Sequence, residues 1–350
     1  MCLLAALPGA ALPGDGQQGA SPGRPDAPTG LQPAVVFDSY SPLASNTELV
    51  RRMLTPLAAA QVEANLQSSG QRLVEQSIDL SVERFVVYVP PRARAPAQGY
   101  RLLVFLPPWQ QARLPDGWAE VLDEHGTIFV SAARSGNEEN VLARREPLAL
   151  LAAVNLLQRY AVDAARVYVG GFSGGSRIAM RVALAYPDLF RGALLNAGSD
   201  PLGDPASGAP PVPPRELFER FQESTRIVYV TGGGDVSHLA MDASSLQSLR
   251  KWCVFDVESH TMAGAGHQVA TPAALAAALH ALLAPPDERA AKLTACRAGI
   301  EKELAAQLER VESLLKGGKR AEARKLLMDI DLRFGGLAAP RSLALHAQLE

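Results

Sequence analysis

Apolar and polar positions change period several times along this chain, and each change marks an expected element. From about Thr47 to Leu66, the residues Leu49, Met53, Leu57, Val62 and Leu66 recur at helical spacing and predict a helix with one broad apolar face. The period then shortens. Leu73–Ile78 and Phe85–Val89 are β-branched or aromatic runs with a turn between them, and Pro90-Pro91 stops the second. Apolar runs at Leu102–Leu106, Thr127–Ser131, Val167–Val169, Ala193–Asn196, Ile227–Thr231 and Val254–Glu258 predict further strands. Helical stretches fall between them at Trp118–Glu124, from Pro147 to about Tyr160, from about Gly174 to Tyr186, and at Pro272–Leu283. Continuous apolar strands alternating with helices predict an α/β fold, a mostly parallel sheet covered by helices on both faces. Gly203 to Pro214 breaks the rhythm with prolines and glycines and predicts a long surface loop, of the kind that shapes a substrate cleft.

The two ends differ from this body. After Pro285-Pro286, Leu293, Ile300, Leu304, Leu308, Val311 and Leu315 repeat at helical spacing. Gly317-Gly318 makes a turn, and Ala323, Leu327, Ile330 and Phe334 mark a second helix. Pro340 precedes a third, with Leu345 and Leu349. Residues 285–350 are thus expected to form a small, separable helical extension behind one large α/β domain at 34–284, resembling half of a tetratricopeptide unit and offering a surface for a protein partner. Residues 1–33 are expected to be a disordered leader, since their Pro, Gly, Ser and Gln density cannot bury a core. The apolar stretch Cys2–Leu12 reads as a trimmed export signal, as a lipoprotein start with Cys2 as the lipidated residue, or as a plain cytoplasmic tail. Export is the reading favoured, which places the protein in the periplasm or outside the cell.

Composition mainly excludes. The chain has 350 residues, 47% of them apolar, and a formal net charge of −2. That balance offers no basic excess to neutralise phosphates, so no nucleic-acid partner is expected. No apolar run approaches the ~20 residues of a membrane helix. Cys2, Cys253 and Cys296 are an odd, sparse set that suggests neither a disulfide framework nor a zinc site, and no cofactor or metal is expected.

The strongest local signal is Gly171-Phe172-Ser173-Gly174-Gly175, which fits the G-x-S-x-G pattern between a short buried strand and an apolar helix. A sharp strand-to-helix turn lifts a serine hydroxyl above the sheet, and the helix N-terminus supplies free N–H groups near a forming oxyanion. The alternative is an ordinary glycine-rich turn. A serine hydroxyl needs a base, and His267 sits in the loop Ala263–His267 between the last strand and the last helix. His238 and His260 lie too early or too close to a strand, and His280 and His346 lie inside helices. Asp235 follows Gly232-Gly233-Gly234 after the strand Ile227–Thr231 and is the candidate to orient the histidine. Asp242 and Asp256 are its rivals, and a simple turn aspartate is its alternative. Arg134, Asn137 and Arg145 lie beyond the strand Thr127–Ser131, where parallel sheets bind ligands. They are read as polar substrate contacts or, alternatively, as a salt-bridged loop.

From about Phe85 to Leu283 the chain resembles α/β-hydrolase esterases related to polyhydroxybutyrate depolymerases and to feruloyl and acetylxylan esterases. The residues carrying the likeness are Tyr88-Val89-Pro90, Trp118, the run Tyr160–Gly175, Tyr186–Phe190 and Gly266-His267. The resemblance implies an α/β-hydrolase fold and cleavage of carboxylic esters, polyesters or acylated polysaccharides among them, through an acyl-enzyme on Ser173, His267 and Asp235. Asp163 and Arg166 would tie the helix end to the nucleophile strand, and Asp188 would be a surface turn. One departure stands out. Such esterases carry a His-Gly pair after the strand that here is Leu102–Leu106, whereas this chain has Pro107-Pro108-Trp109-Gln110. Proline has no N–H. The oxyanion donors are therefore expected to be Gly174 together with Trp109 or Gln110, and Trp109 is also read as lining the acyl pocket or, alternatively, as a packed loop aromatic. A peptidase of the same fold, and a catalytically weak hydrolase-like binding module that uses its helical tail, are the other readings.

Overall fold

The computed structural model describes residues 27–203, 209–285 and 290–350. The expected leader through residue 26, part of the expected cleft loop and Pro286 of the expected linker lie outside the described residues. In chain order the elements are β1 (Gly30–Val35), α1 (Asn46–Met53), α2 (Pro56–Ser69), β2 (Phe85–Val89), β3 (Tyr100–Leu106), α3 (Trp118–Glu124) and β4 (Thr127–Ala132). Then come α4 (Glu146–Arg159), β5 (Val162–Phe172), α5 (Gly174–Ala185), β6 (Gly192–Asn196), α6 (Arg215–Ser224), β7 (Arg226–Gly232) and α7 (Val236–Lys251). The last are β8 (Val257–Met262), α8 (Pro272–Leu283), α9 (Ala290–Lys316), α10 (Arg320–Phe334) and α11 (Arg341–Ala347).

Among the described residues the strands form one sheet in the order β1-β2-β4-β3-β5-β6-β7-β8. β2 pairs antiparallel with both β1 and β4, and every later pairing is parallel. Helices cover both faces, and this strand order with the strand–serine–helix turn at Ser173 is the α/β-hydrolase fold. The period-two alternation of strands divides the core. Phe85, Val87, Val104, Val130 and Val169 pack with α4 and α5 on one face. Val86, Phe105, Phe129, Tyr168 and Val230 pack with α3 and α8 on the other. Trp118, fully buried, closes this second layer by donating its indole N–H to Ala270 O at 2.9 Å.

Several expectations are corrected. Gly30 to Pro33, assigned to the leader, open the edge strand β1, with Gly30 opposite Val89. Leu73–Ile78 is not a strand. The backbone N–H of Asn46 donates to the carbonyl of Glu75 and its side chain to that of Val74, so the segment serves as a collar for α1 and has no strand neighbour among the described residues. The single helix expected at Thr47–Leu66 is two, because Thr55 caps Ala58 N at 3.3 Å and Pro56 opens a new first turn. The last strand starts at Val257 rather than Val254, since Cys253, at φ 63°, is still turning out of α7. Asp188 anchors more than a turn: both its oxygens take the buried Arg52, at 2.7 and 3.0 Å. Asp163 and Arg166 pair with each other at 3.2 Å within β5.

α9, α10 and α11 form the expected helical tail, and its buried residues Leu304, Leu308, Val311, Leu327, Ile330 and Phe334 belong to the same apolar cluster as the α4–α5 face. Phe334 meets Trp252 edge-on at 5.8 Å. Arg297 reaches Gln222 and Glu223 on α6 at 2.6 and 2.8 Å. Leu57 N donates to the buried carboxylate of Asp331 at 3.1 Å. The cysteine expectation is also corrected: Cys253 and Cys296 form a disulfide across a separation of 43 residues. Spacing alone hid this pair, because the sulfurs meet only once the tail has docked.

Closing a loop of that length removes denatured-state entropy, so Cys296→Ser should lower unfolding free energy by about 2–4 kcal/mol in denaturant titration. Truncation after Ala284 should bare Trp252 and lower the unfolding midpoint further. A truncated chain that keeps the full-length midpoint would show that the tail adds nothing to the fold.

Candidate active site

β5 delivers Ser173 and α5 receives it. Ser173 sits at φ 55°, ψ −123°, a backbone conformation that a non-glycine residue adopts only under constraint. The constraint is crowding. A Cβ on Gly175 would lie 2.0 Å from Leu106 O, and one on Gly171 would lie 2.4 Å from the Gly175 backbone. Only glycine lets β3, β5 and α5 approach this closely. Ser173 N donates to Asn196 O at 2.8 Å, which fixes the turn to the end of β6. The Asn196 side chain donates to Val230 O at 2.8 Å and accepts from Ala270 N at 2.6 Å. One buried asparagine thus ties the serine turn, β7 and the segment just after His267. The sequence reading did not single it out.

Asp235 follows β7 as the N-cap of α7. Its turn is bound to the histidine loop through backbone bonds from Gly233 N to Met262 O at 2.9 Å and from Gly234 N to Ala265 O at 2.8 Å. His267 therefore lands between the two predicted partners. Its Nδ1–H donates to Asp235 Oδ2 at 2.6 Å, and its Nε2 lies 3.0 Å from Ser173 Oγ, in position to accept the hydroxyl proton. The rival aspartates are engaged elsewhere. Asp242 is buried and accepts from Ser199 and Thr231, at 2.8 and 2.5 Å. Asp256 takes Arg226 Nε at 2.7 Å.

His238, set aside on its position in the sequence, belongs to the same cluster. Its Nδ1 meets Asp235 Oδ1 at 2.8 Å, and its ring stacks on His267 with centroids 4.2 Å apart. The signal for it was the three-residue spacing from Asp235, one helical turn at a helix start. The donors of Asp235, His238 and His267 lie within 4.8 Å of one another and are of metal-binding type. They are turned onto one another as hydrogen-bond donor and acceptor, an arrangement that needs no ion. Burial acts to raise the Asp235 pKa, but the bonds from His238 and His267 outweigh it and bring it down to about 2.

The remaining predicted residues divide. Trp109 stands beside Phe172, centroids 6.1 Å apart, and Phe172 in turn lies 4.8 Å from the His267 ring. Arg113 covers Trp109 at 4.4 Å. Among the described residues the backbone N–H groups of Trp109, Gln110 and Gly174 have no acceptor. Asn137 presses against Gly174, since a Cβ there would lie 2.2 Å from Asn137 Oδ1. Arg145, buried, donates to Pro107 O at 3.0 Å. Arg134 follows the salt-bridged alternative and not the substrate contact: its guanidinium turns onto Glu83 at 3.1 Å and Val82 O at 3.2 Å. The buried Glu83 carboxylate draws it there, so it does not face the cleft.

No protein-family profile matches the chain, and no curated protein matches it. Solved structures resemble it distantly. An S-formylglutathione hydrolase from Staphylococcus aureus shares 10% identity over 58% of this chain and 93% of that one, with a TM-score of 0.43. A poly(3-hydroxybutyrate) depolymerase from Bordetella parapertussis shares 16% over 61% of this chain and 88% of its own, with a TM-score of 0.41. A protein from Bacteroides ovatus described as a dipeptidyl aminopeptidase IV shares 13% over 60% of this chain, at a TM-score of 0.41. This chain spans only 33% of that protein's length. The fold assignment stands on the strand order and the serine turn.

A carboxylate with a depressed folded pKa adds stability above its unfolded value and loses it as pH falls through the folded one. Asp235 has that signature, ordinary value 3.8 and folded value about 2. Asp235→Asn should therefore lower the thermal midpoint near neutral pH, and its gap to wild type should narrow between about pH 4 and pH 2. Thermal unfolding of both proteins across that range is the measurement. A gap constant down to pH 2 would show that the charge contributes nothing to the fold.

Proposed function

We propose that this chain is a serine hydrolase that cleaves carboxylic esters through an acyl-enzyme. The observation that carries the reading is the hydrogen-bonded series Ser173 Oγ, His267, Asp235, at 3.0 and 2.6 Å, built on a strained strand-to-helix turn. Ser173 Oγ attacks the ester carbonyl carbon while His267 Nε2 takes its proton. Asp235, ionised above about pH 2, holds the other ring N–H and stabilises the imidazolium. Gly174 N–H and that of Trp109 or Gln110 receive the oxyanion, each such donor being worth about 3–4 kcal/mol in the transition state. As the tetrahedral intermediate collapses, the C–O bond to the alcohol breaks and His267 returns its proton to the leaving oxygen. Water then repeats the cycle against the acyl-enzyme, releasing the carboxylic acid and restoring Ser173. The Cys253–Cys296 disulfide, a bond that persists in oxidising compartments, supports a periplasmic or secreted setting.

Wild type should hydrolyse a short-chain aryl ester and react covalently with a fluorophosphonate. Ser173→Ala should abolish labelling and lower kcat by about 10⁴–10⁶, with His267→Ala close behind, since nucleophile and base act as one unit. Asp235→Asn should cost less, about 10⁴ or under. Wild type and Ser173→Ala equally inert towards both reagents, with the fold intact, would replace the enzyme reading by a hydrolase-like binding module.

A further inference from the structure

A cleft of about 640 Å³ opens beside the serine turn and is lined by Gly174, Asn137, Arg145, Arg177, Arg181 and Asp200, among others. Gly174, Arg177 and Arg181 recur at three- and four-residue spacing, so they share one face of α5. At 1.5 Å of rise per residue, Arg177 stands about 4.5 Å and Arg181 about 10 Å along the axis from Gly174.

The charges in this cleft are unevenly matched. Arg177 gives only Nε to Asp200, 2.9 and 2.8 Å from the two oxygens, and Arg181 gives only Nε to Glu146 Oε1 at 2.8 Å. Among the described residues the Nη1 and Nη2 atoms of both arginines have no acceptor, and the Arg177 side chain is 43% exposed. Arg145 is 3% exposed. Among the described residues it has no carboxylate within ion-pair distance, its Nη2 being spent on a carbonyl. Burial pulls its pKa down to about 10, against the opposing pull of Glu146 and Glu139. Three guanidinium groups, those of Arg145, Arg177 and Arg181, therefore face two carboxylates, those of Asp200 and Glu146, since Glu139 is paired with Arg144 at 3.6 Å. The N-terminus of α5 adds its own positive potential at the mouth. A planar fork of two free N–H-bearing nitrogens is the geometry that takes a carboxylate in two parallel bonds.

We infer that this cleft selects esters carrying a second, anionic carboxylate group placed about 5–10 Å from the scissile carbonyl, with Arg177 and Arg181 as the specificity-determining residues. The inference rests on the esterase reading above and names its substrate class.

Two matched ester pairs test it with the full chain: mono-4-nitrophenyl glutarate against its methyl ester, and 4-acetoxybenzoate against its methyl ester. In at least one pair kcat/KM should favour the anion by about tenfold or more at low ionic strength, chiefly through KM. The advantage should shrink in 0.5 M NaCl, where exposed charges are screened beyond about 4 Å. Arg177→Gln and Arg181→Gln should each move the ratio towards one, and Arg177→Lys should retain part of it. Neutral esters preferred or equal in both pairs would overturn the inference while leaving the esterase reading standing, and so would a preference untouched by both glutamine variants. If no ester is turned over, that reading fails and calorimetry on Ser173→Ala still decides this one. Glutarate should then bind, glutaramide should not, and Arg177→Gln should weaken the binding. Absence of glutarate binding would overturn it.

Discussion

Everything in the site depends on how closely three backbone segments approach at the serine turn. Leu106 O, the Gly175 backbone and Gly171 leave no room for a β-carbon at either glycine. Squeezed between them, Ser173 adopts a conformation that by itself costs about 1–3 kcal/mol. The surrounding sheet pays that cost because β3, β5 and β6 are fixed by their pairings on both sides. The same squeeze decides where the chain after β3 can run. It must pass beside Gly175, and Trp109 then stands beside Phe172, whose ring lies 4.8 Å from that of His267.

Asn196 and Asp235 show how the remaining parts are held in register. Asn196 joins the serine turn to β7 and to Ala270, so the serine and the histidine loop share one buried anchor. Asp235 has two imidazoles on its two oxygens. His238 occupies Oδ1 and leaves Oδ2 to His267, which restricts the ways the carboxylate can rotate. The stacked His238 ring also walls one face of His267, and Phe172 walls another.

Most of the fold was legible because the central strands are continuous apolar runs and the serine turn carries its glycines openly. The lapses have physical causes. α7 escaped notice because its buried positions include Asp242 and Ser245 beside Leu249, so it has no apolar stripe to read. Leu73–Ile78 looked like a strand because Leu73, Val74 and Ile78 suit one, yet Val74 is 65% exposed and its segment is held by Asn46 instead. The meeting of His267 with Asp235 and Ser173 was legible from the loops that follow the strands. His238 was not, because loop position says nothing of a residue one helical turn past Asp235. Arg177 and Arg181 were passed over because in sequence they read as ordinary polar positions on an amphipathic helix.

The disulfide has a consequence for chain topology. Cys253 and Cys296 close a covalent ring that contains β8, His267 and the whole of α8. The histidine is thus carried on a loop with both roots riveted, one to the hydrolase body and one to the tail. A peptide bond broken anywhere inside that ring yields a two-piece molecule whose pieces stay joined while the bond is oxidised. In a protease-rich setting such a chain can be nicked next to His267 without shedding it.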